Sequence, residues 1–121
     1  MIAHETGTFT EVPMDRSERA AEKIREIQRD RQEAHKFFYE RSDVYRTFVE
    51  LEKQAFKDGA LEKKHKELIA IGISLVNSCE SCLEWHIKQA LDAGATQEEI
   101  IEAIGVGFEM GIGPTTVTGR F

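Results

Sequence analysis

The segment "LIAIGISLV", residues 68–76, is apolar on nearly every side when wound as a helix. A helix with one apolar stripe rests on the surface of a bundle, whereas one that is apolar all round must be covered on all sides or lie under a subunit interface. This stretch therefore demands other helices around it. The flanking sequence provides them, because no strand alternation and no internal repeat interrupts a succession of helical patterns. The expected fold class is all-α, a bundle of about five to six helices.

The helices follow from spacing and caps. "SERAAEKIREIQRDRQEAHKFFYE", about Ser17 to Glu40, is a very polar helix with a narrow apolar stripe through Ala20, Ala21, Ile24, Ile27, Ala34, Phe37 and Phe38. A second helix is expected from about Asp43 to Lys57, ended by the turn "DGAL". The third runs from about Glu62 to Val76. Ser78 reads as the N-cap of a fourth helix from about Cys79 to Ala93, which Gly94 ends. Thr96 followed by Glu99 is a capping box opening a last helix, about Gln97 to Met110. The glycines at 105, 107, 111 and 113, before Pro114, imply either a closely packed neighbouring backbone or a fraying end. Residues 1–14, Thr-rich with Gly7 and Pro13, read as an N-terminal arm ahead of a single helical domain over residues 15–121.

Charge narrows the partners. The net charge of −6 resides in the C-terminal half: residues 1–66 hold 14 basic and 14 acidic side chains, residues 67–121 only 2 basic against 8 acidic. An acidic half argues against a phosphate-neutralising face for nucleic acid and against an anionic membrane surface. No apolar run approaches the roughly 18–20 residues that cross a bilayer. The N-terminal segment lacks a basic region followed by an apolar one, so the expected location is cytoplasmic, where cysteines stay reduced unless redox chemistry is their task.

The only two cysteines, Cys79 and Cys82, lie in "NSCESCLEWH". At about 100° per residue, Cys79, Cys82 and His86 fall within an arc of about 60° on one helix face. Both cysteines belong to the first turn, where free N–H groups and the helix dipole favour a thiolate. His86, one turn on, is placed to accept a thiol proton, and a carboxylate could orient its imidazole. Glu67 is the candidate, because Glu67, Ile71 and Ser74 share a face of the third helix and an antiparallel fourth helix would bring Glu67 level with His86. The relay read from the residues is Glu67, His86, Cys82, with Cys79 as resolving thiol. Two other uses stand beside it. Cys79, Cys82 and His86, with His65 or Glu67, are ligand types for zinc, although structural sites draw two close pairs from separate segments and no second pair exists here. The cysteines could also be inert core residues around a satisfied histidine.

Residues 66–111, "KELIAIGISLVNSCESCLEWHIKQALDAGATQEEIIEAIGVGFEMG", resemble the core of the alkylhydroperoxidase D-like (AhpD-like) proteins of the carboxymuconolactone decarboxylase superfamily. The pattern Glu, eleven residues, Cys, two residues, Cys, three residues, His falls on Glu67, Cys79, Cys82 and His86 with every spacing kept, and the segment from Gly94 to Ala103 matches too. The resemblance implies an AhpD-like helical bundle with one core motif copy per chain, and assembly into trimers or hexamers. It implies thiol peroxidase or disulfide reductase activity in which Cys82 attacks the peroxide and Cys79 resolves the sulfenic acid. A lipoylated protein or another dithiol would be the reductant, with no cofactor or metal beyond the cysteine pair. Some members carry His before the second cysteine, where this chain has Ser81. The alternatives within this frame are a decarboxylase-like lyase and a non-catalytic helical assembly protein.

Overall fold

The computed structural model describes residues 12–120, and these form five helices and no strand. They are α1 (Arg16–Arg41), α2 (Asp43–Phe56), α3 (Lys63–Val76), α4 (Glu80–Asp92) and α5 (Gln97–Gly119). Most of the expected N-terminal arm, residues 1–11, lies outside the described residues.

The centre is a hairpin of α3 and α4, with α5 laid along the other side of α3. Ile71, Ala90, Ala95 and Ile100 make its buried heart, and Leu68, Leu83, Ile87, Ala103 and Ile104 pack around them. The buried residues of α3 are Glu67, Ile71 and Ser74, one stripe at i, i+4, i+7. Of its other apolar side chains, Ile69, Ile73 and Val76 remain about half exposed, so α4 and α5 leave one face of this helix uncovered.

Two Schellman turns give the core its sharp corners. At the end of α4, Gly94 takes φ +94, Gly94 N–H donates to Leu91 O and Ala95 N–H to Ala90 O, and the buried Ala95 closes the motif. The same pattern ends α3, with Ser78 in the left-handed position at φ +53: Ser78 N–H donates to Leu75 O, and Cys79 N–H to Ser74 O. The expected N-cap therefore moves by one residue. Ser78 is spent on the turn, and Cys79, extended at φ −100 and ψ 93, caps α4.

The last helix is longer than its glycines and proline imply. It opens with the expected Thr96–Glu99 box but runs on to Gly119 instead of ending near Met110. Pro114 removes one N–H and frees the carbonyl of Met110, a loss that solvent can meet on this exposed segment. Of the glycines, Gly107 is the close contact: a Cβ there would meet Leu75 Cδ1 at 2.9 Å and Gly72 O at 3.2 Å, so α5 and α3 touch through backbone. Gly105 and Gly111 face open space.

α1 and α2 form a second hairpin over α4. Ser42 ends α1 and caps α2, its side chain accepting the N–H of Tyr45. Neither helix contains a buried residue. Polar and aromatic contacts seat them: Lys23 on Glu80 (2.7 Å), Gln28 on Glu84 (2.7 Å) and Trp85 Nε1 donating to Glu52 (3.2 Å). The space left between this hairpin and α4 positions the site.

Candidate active site

Cys79 and Cys82 are joined as a disulfide. Cys79 Sγ also accepts the backbone N–H of Cys82 at 3.2 Å, so the sulfur that caps α4 is one of the two in the disulfide. Cys82 is exposed and Cys79 half-buried. Standing at the third helical position, Cys82 lies in the turn where the dipole stabilises a negative sulfur.

The two acidic side chains that would oppose such a charge are matched by α1. Lys23 pairs with Glu80, and Arg31 Nη2 lies 2.6 Å from Glu84 Oε2. That oxygen has no in-line hydrogen-bond donor, and the Arg31 charge is its compensation. Arg31 also donates to the carbonyl of Ser81 (2.8 Å), the peptide just before Cys82, and its guanidinium lies over the Trp85 ring at 5.2 Å.

The antiparallel crossing of α3 and α4 brings Glu67 to His86. His86 Nδ1 and Glu67 Oε2 are 2.7 Å apart, with Glu67 only 2% exposed. A carboxylate can only accept, so Nδ1 carries the proton and Nε2 is left as the basic nitrogen of the ring. Phe56 of α2 stacks on the imidazole at 5.1 Å between centroids and fixes its plane. The second carboxylate oxygen accepts from Lys63 Nζ at 2.7 Å, and the same ammonium reaches Gln89 Oε1 at 3.2 Å.

Cys82, His86, Glu67 and Lys63 all line one cavity of about 1090 Å³ between α1, α2 and α4. Its wall sets the aromatic rings of Tyr39, Tyr45, Phe48, Phe56 and Trp85 among charged and polar side chains. Such a space suits the apolar body of an organic molecule and is many times the size of hydrogen peroxide. The geometry can move a proton at His86, hold the charge of Glu67, and cycle two sulfurs between dithiol and disulfide.

All four residues singled out in the sequence are therefore placed: Glu67 meets His86, Cys79 meets Cys82, and Cys82 and His86 share the cavity wall. His65, named as a possible fourth ligand for a metal, is exposed. Sequence reasoning missed Lys63, Phe56, Gln89 and Arg31. Lys63 had a visible signal, since it precedes Glu67 by four residues and shares its helix face. Arg31 and Phe56 had none, because their contacts depend on how the second hairpin lies across α4.

Comparison with known proteins agrees with this architecture. An uncharacterised protein of the cox locus of Paracoccus denitrificans is 48% identical over 66 residues, covering 54% of this chain and 60% of that protein. The alkyl hydroperoxide reductase AhpD of Corynebacterium kroppenstedtii is 28% identical over 65 residues, 54% of this chain and 37% of its own length. The chain thus spans less than two thirds of the length of these curated relatives, from 37% in the Corynebacterium case to 60% in the Paracoccus case. Among solved structures, an apo carboxymuconolactone decarboxylase family protein from Legionella pneumophila superposes with a TM-score of 0.68 at 34% identity, covering 81% of this chain and 88% of that one. A family protein from Thermotoga maritima gives 0.64 at 27% identity, covering 71% and 74%. The model of the carboxymuconolactone decarboxylase family matches residues 42–119, which take in α2 to α5 and all four site residues. The chain belongs to the carboxymuconolactone decarboxylase family.

Proposed function

We propose that this protein is a thiol-dependent antioxidant oxidoreductase of the alkylhydroperoxidase D type, reducing an organic hydroperoxide or a disulfide through Cys79 and Cys82. One observation carries the reading. An exposed cysteine able to form a disulfide with its neighbour opens onto the same aromatic cavity as a histidine held by a buried carboxylate. An inert structural pair has no need of that combination.

In the proposed cycle, His86 Nε2 takes the proton of Cys82. The thiolate attacks the outer oxygen of the hydroperoxide, the O–O bond breaks, and the alkoxide leaves as the alcohol with the proton from His86. Cys82 is now a sulfenic acid. The Cys79 thiol displaces its hydroxyl as water and forms the disulfide, the oxidised state described above. A dithiol, free or carried on a lipoylated protein, then reduces the disulfide and is itself oxidised to a disulfide. The cysteine pair carries both electrons, and no other cofactor enters the scheme.

The proposal includes assembly as a homotrimer or homohexamer and a cytoplasmic location. Assembly is supported by the apolar surface that one chain leaves uncovered: Val106, Phe108, Met110 and Ile112 of α5 are each more than half exposed, as are Ile69 and Ile73 of α3. Between Ala103 and Gly119 the sole charged side chain is Glu109. Among the described residues no helix is long and apolar enough to cross a membrane.

The test uses the reduced protein and an organic hydroperoxide. Wild type should form the Cys79–Cys82 disulfide, Cys79→Ser should stop at a sulfenic acid on Cys82 that a trapping reagent captures, and Cys82→Ser should not react. Decarboxylation of a lactone that survives the double replacement Cys79→Ser, Cys82→Ser would put a lyase in place of this reading.

A further inference from the structure

Lys63 stands in the run "EKKHKE", yet it alone of those lysines touches the site. Its Nζ is 2.7 Å from Glu67 Oε1, while the other oxygen of that carboxylate is 2.7 Å from His86 Nδ1. Glu67 is 2% exposed and the Lys63 side chain 38%, so a buried carboxylate is shared between an imidazole on the inside and an ammonium reaching in from the rim. Gln89 holds the ammonium from α4, and Asp58 accepts the backbone N–H of Lys63 at 2.7 Å, fixing where its helix begins.

We infer that Lys63 is a positioning residue that keeps His86 free to accept a proton. The inference rests on the relay reading of Glu67 and His86. A buried carboxylate with no second cation holds a proton on its neighbouring imidazole, because an opposite charge at this range favours the charged form. An imidazolium with both nitrogens protonated is a donor only and cannot take the proton of Cys82. The Lys63 ammonium offsets the carboxylate charge seen by the ring and leaves the orienting hydrogen bond in place.

Among the described residues no other Lys or Arg lies within ion-pair distance of Glu67. From α2 the ring meets the uncharged face of Phe56, and of the other basic groups around the cavity Lys53 pairs with Glu50, Lys57 binds Gln54 and Arg31 is engaged by Glu84. His35 of α1 is hydrogen-bonded to Tyr45, and Glu52 accepts from Trp85. From α3 and α4 the remaining partners are Glu67 itself and the neutral amide of Gln89.

The experiment is an NMR titration of the His86 ring in the oxidised protein, where no thiol titrates, for wild type, Lys63→Met, Lys63→Gln and Lys63→Arg. Both neutral variants should move the ring midpoint upward relative to wild type, and Lys63→Arg should restore it. A tie between α3 and α4 with no electrostatic role would lower the melting temperature of the neutral variants and leave the ring titration where it was, and that result overturns the inference. Peroxide-dependent disulfide formation by wild type is measured separately. It judges the reading of the cysteines, so either conclusion can fail without the other.

Discussion

Glu67 Oε2 and His86 Nδ1 meet at 2.7 Å across the α3–α4 hairpin, one residue near the start of α3 and the other at the middle of α4. The contact exists because the Schellman turn at Ser78 reverses the chain within three residues and sets the two helices antiparallel. Glu67→Gln keeps the shape and removes the charge. It should slow peroxide-dependent disulfide formation about 100-fold, within the usual range for a lost acid–base function. His86→Ala should slow it similarly, and the double variant should be little slower than either, as expected of groups acting as one unit. Stopped-flow measurement of the reaction, with circular dichroism to check the fold, decides this.

Gly107 and Gly105 are two residues apart on α5 and should respond to alanine in opposite directions. At Gly107 the new methyl group meets Leu75 and the backbone of Gly72, and the helices must separate; the net cost should be about 1–2 kcal/mol. At Gly105 nothing lies within 4 Å, so alanine should stabilise the helix by up to about 1 kcal/mol. Chemical denaturation of the two variants checks both signs.

Arg31 is the main tie between α1 and the start of α4. Arg31→Met removes the partner of Glu84, whose side chain is 10% exposed, and leaves Gln28 as its only donor. Breaking a partly buried pair from one side should cost about 1–3 kcal/mol, below the range for fully buried pairs because Arg31 is itself 23% exposed. Hydrogen exchange should show the loss first in α1, which has no buried residue to hold it.

Acid should weaken the start of α5. The Thr96 backbone N–H, and then Lys64 at 3.1 Å, hold the Glu99 carboxyl below its ordinary value of 4.5. A carboxyl depressed by folding stabilises the fold fully above its unfolded value, and the contribution is lost as pH falls through the lower folded value. Unfolding midpoints measured between pH 6 and pH 3 should therefore differ between wild type and Glu99→Gln at the upper end and converge at the lower.

The helical core was legible because short-range rules govern it. The spacing of Glu67, Ile71 and Ser74 marks a single face, and those are the residues that α3 buries. The Thr96–Glu99 box forms as spaced, and the four-residue interval from Cys82 to His86 puts both on one side of α4. What escaped depends on longer range or on backbone competition. Ser78 resembles an N-cap, but the chain needs a left-handed residue there to turn, so Cys79 takes the cap. Gly111, Gly113 and Pro114 suggest a helix end near Met110, yet their cost is local and α5 continues past them. Arg31 and Phe56 reach the site from helices whose placement no periodicity encodes.

The most direct measurement is the mass of alkylated protein before and after one equivalent of an organic hydroperoxide. Fully reduced protein should carry two alkyl groups. After peroxide it should carry none, at unchanged monomer mass apart from the two hydrogens lost, with the Cys79–Cys82 disulfide in the peptide digest. Two cysteines that stay alkylatable, or a disulfide that forms equally fast in Cys82→Ser through a link between chains, would contradict the account.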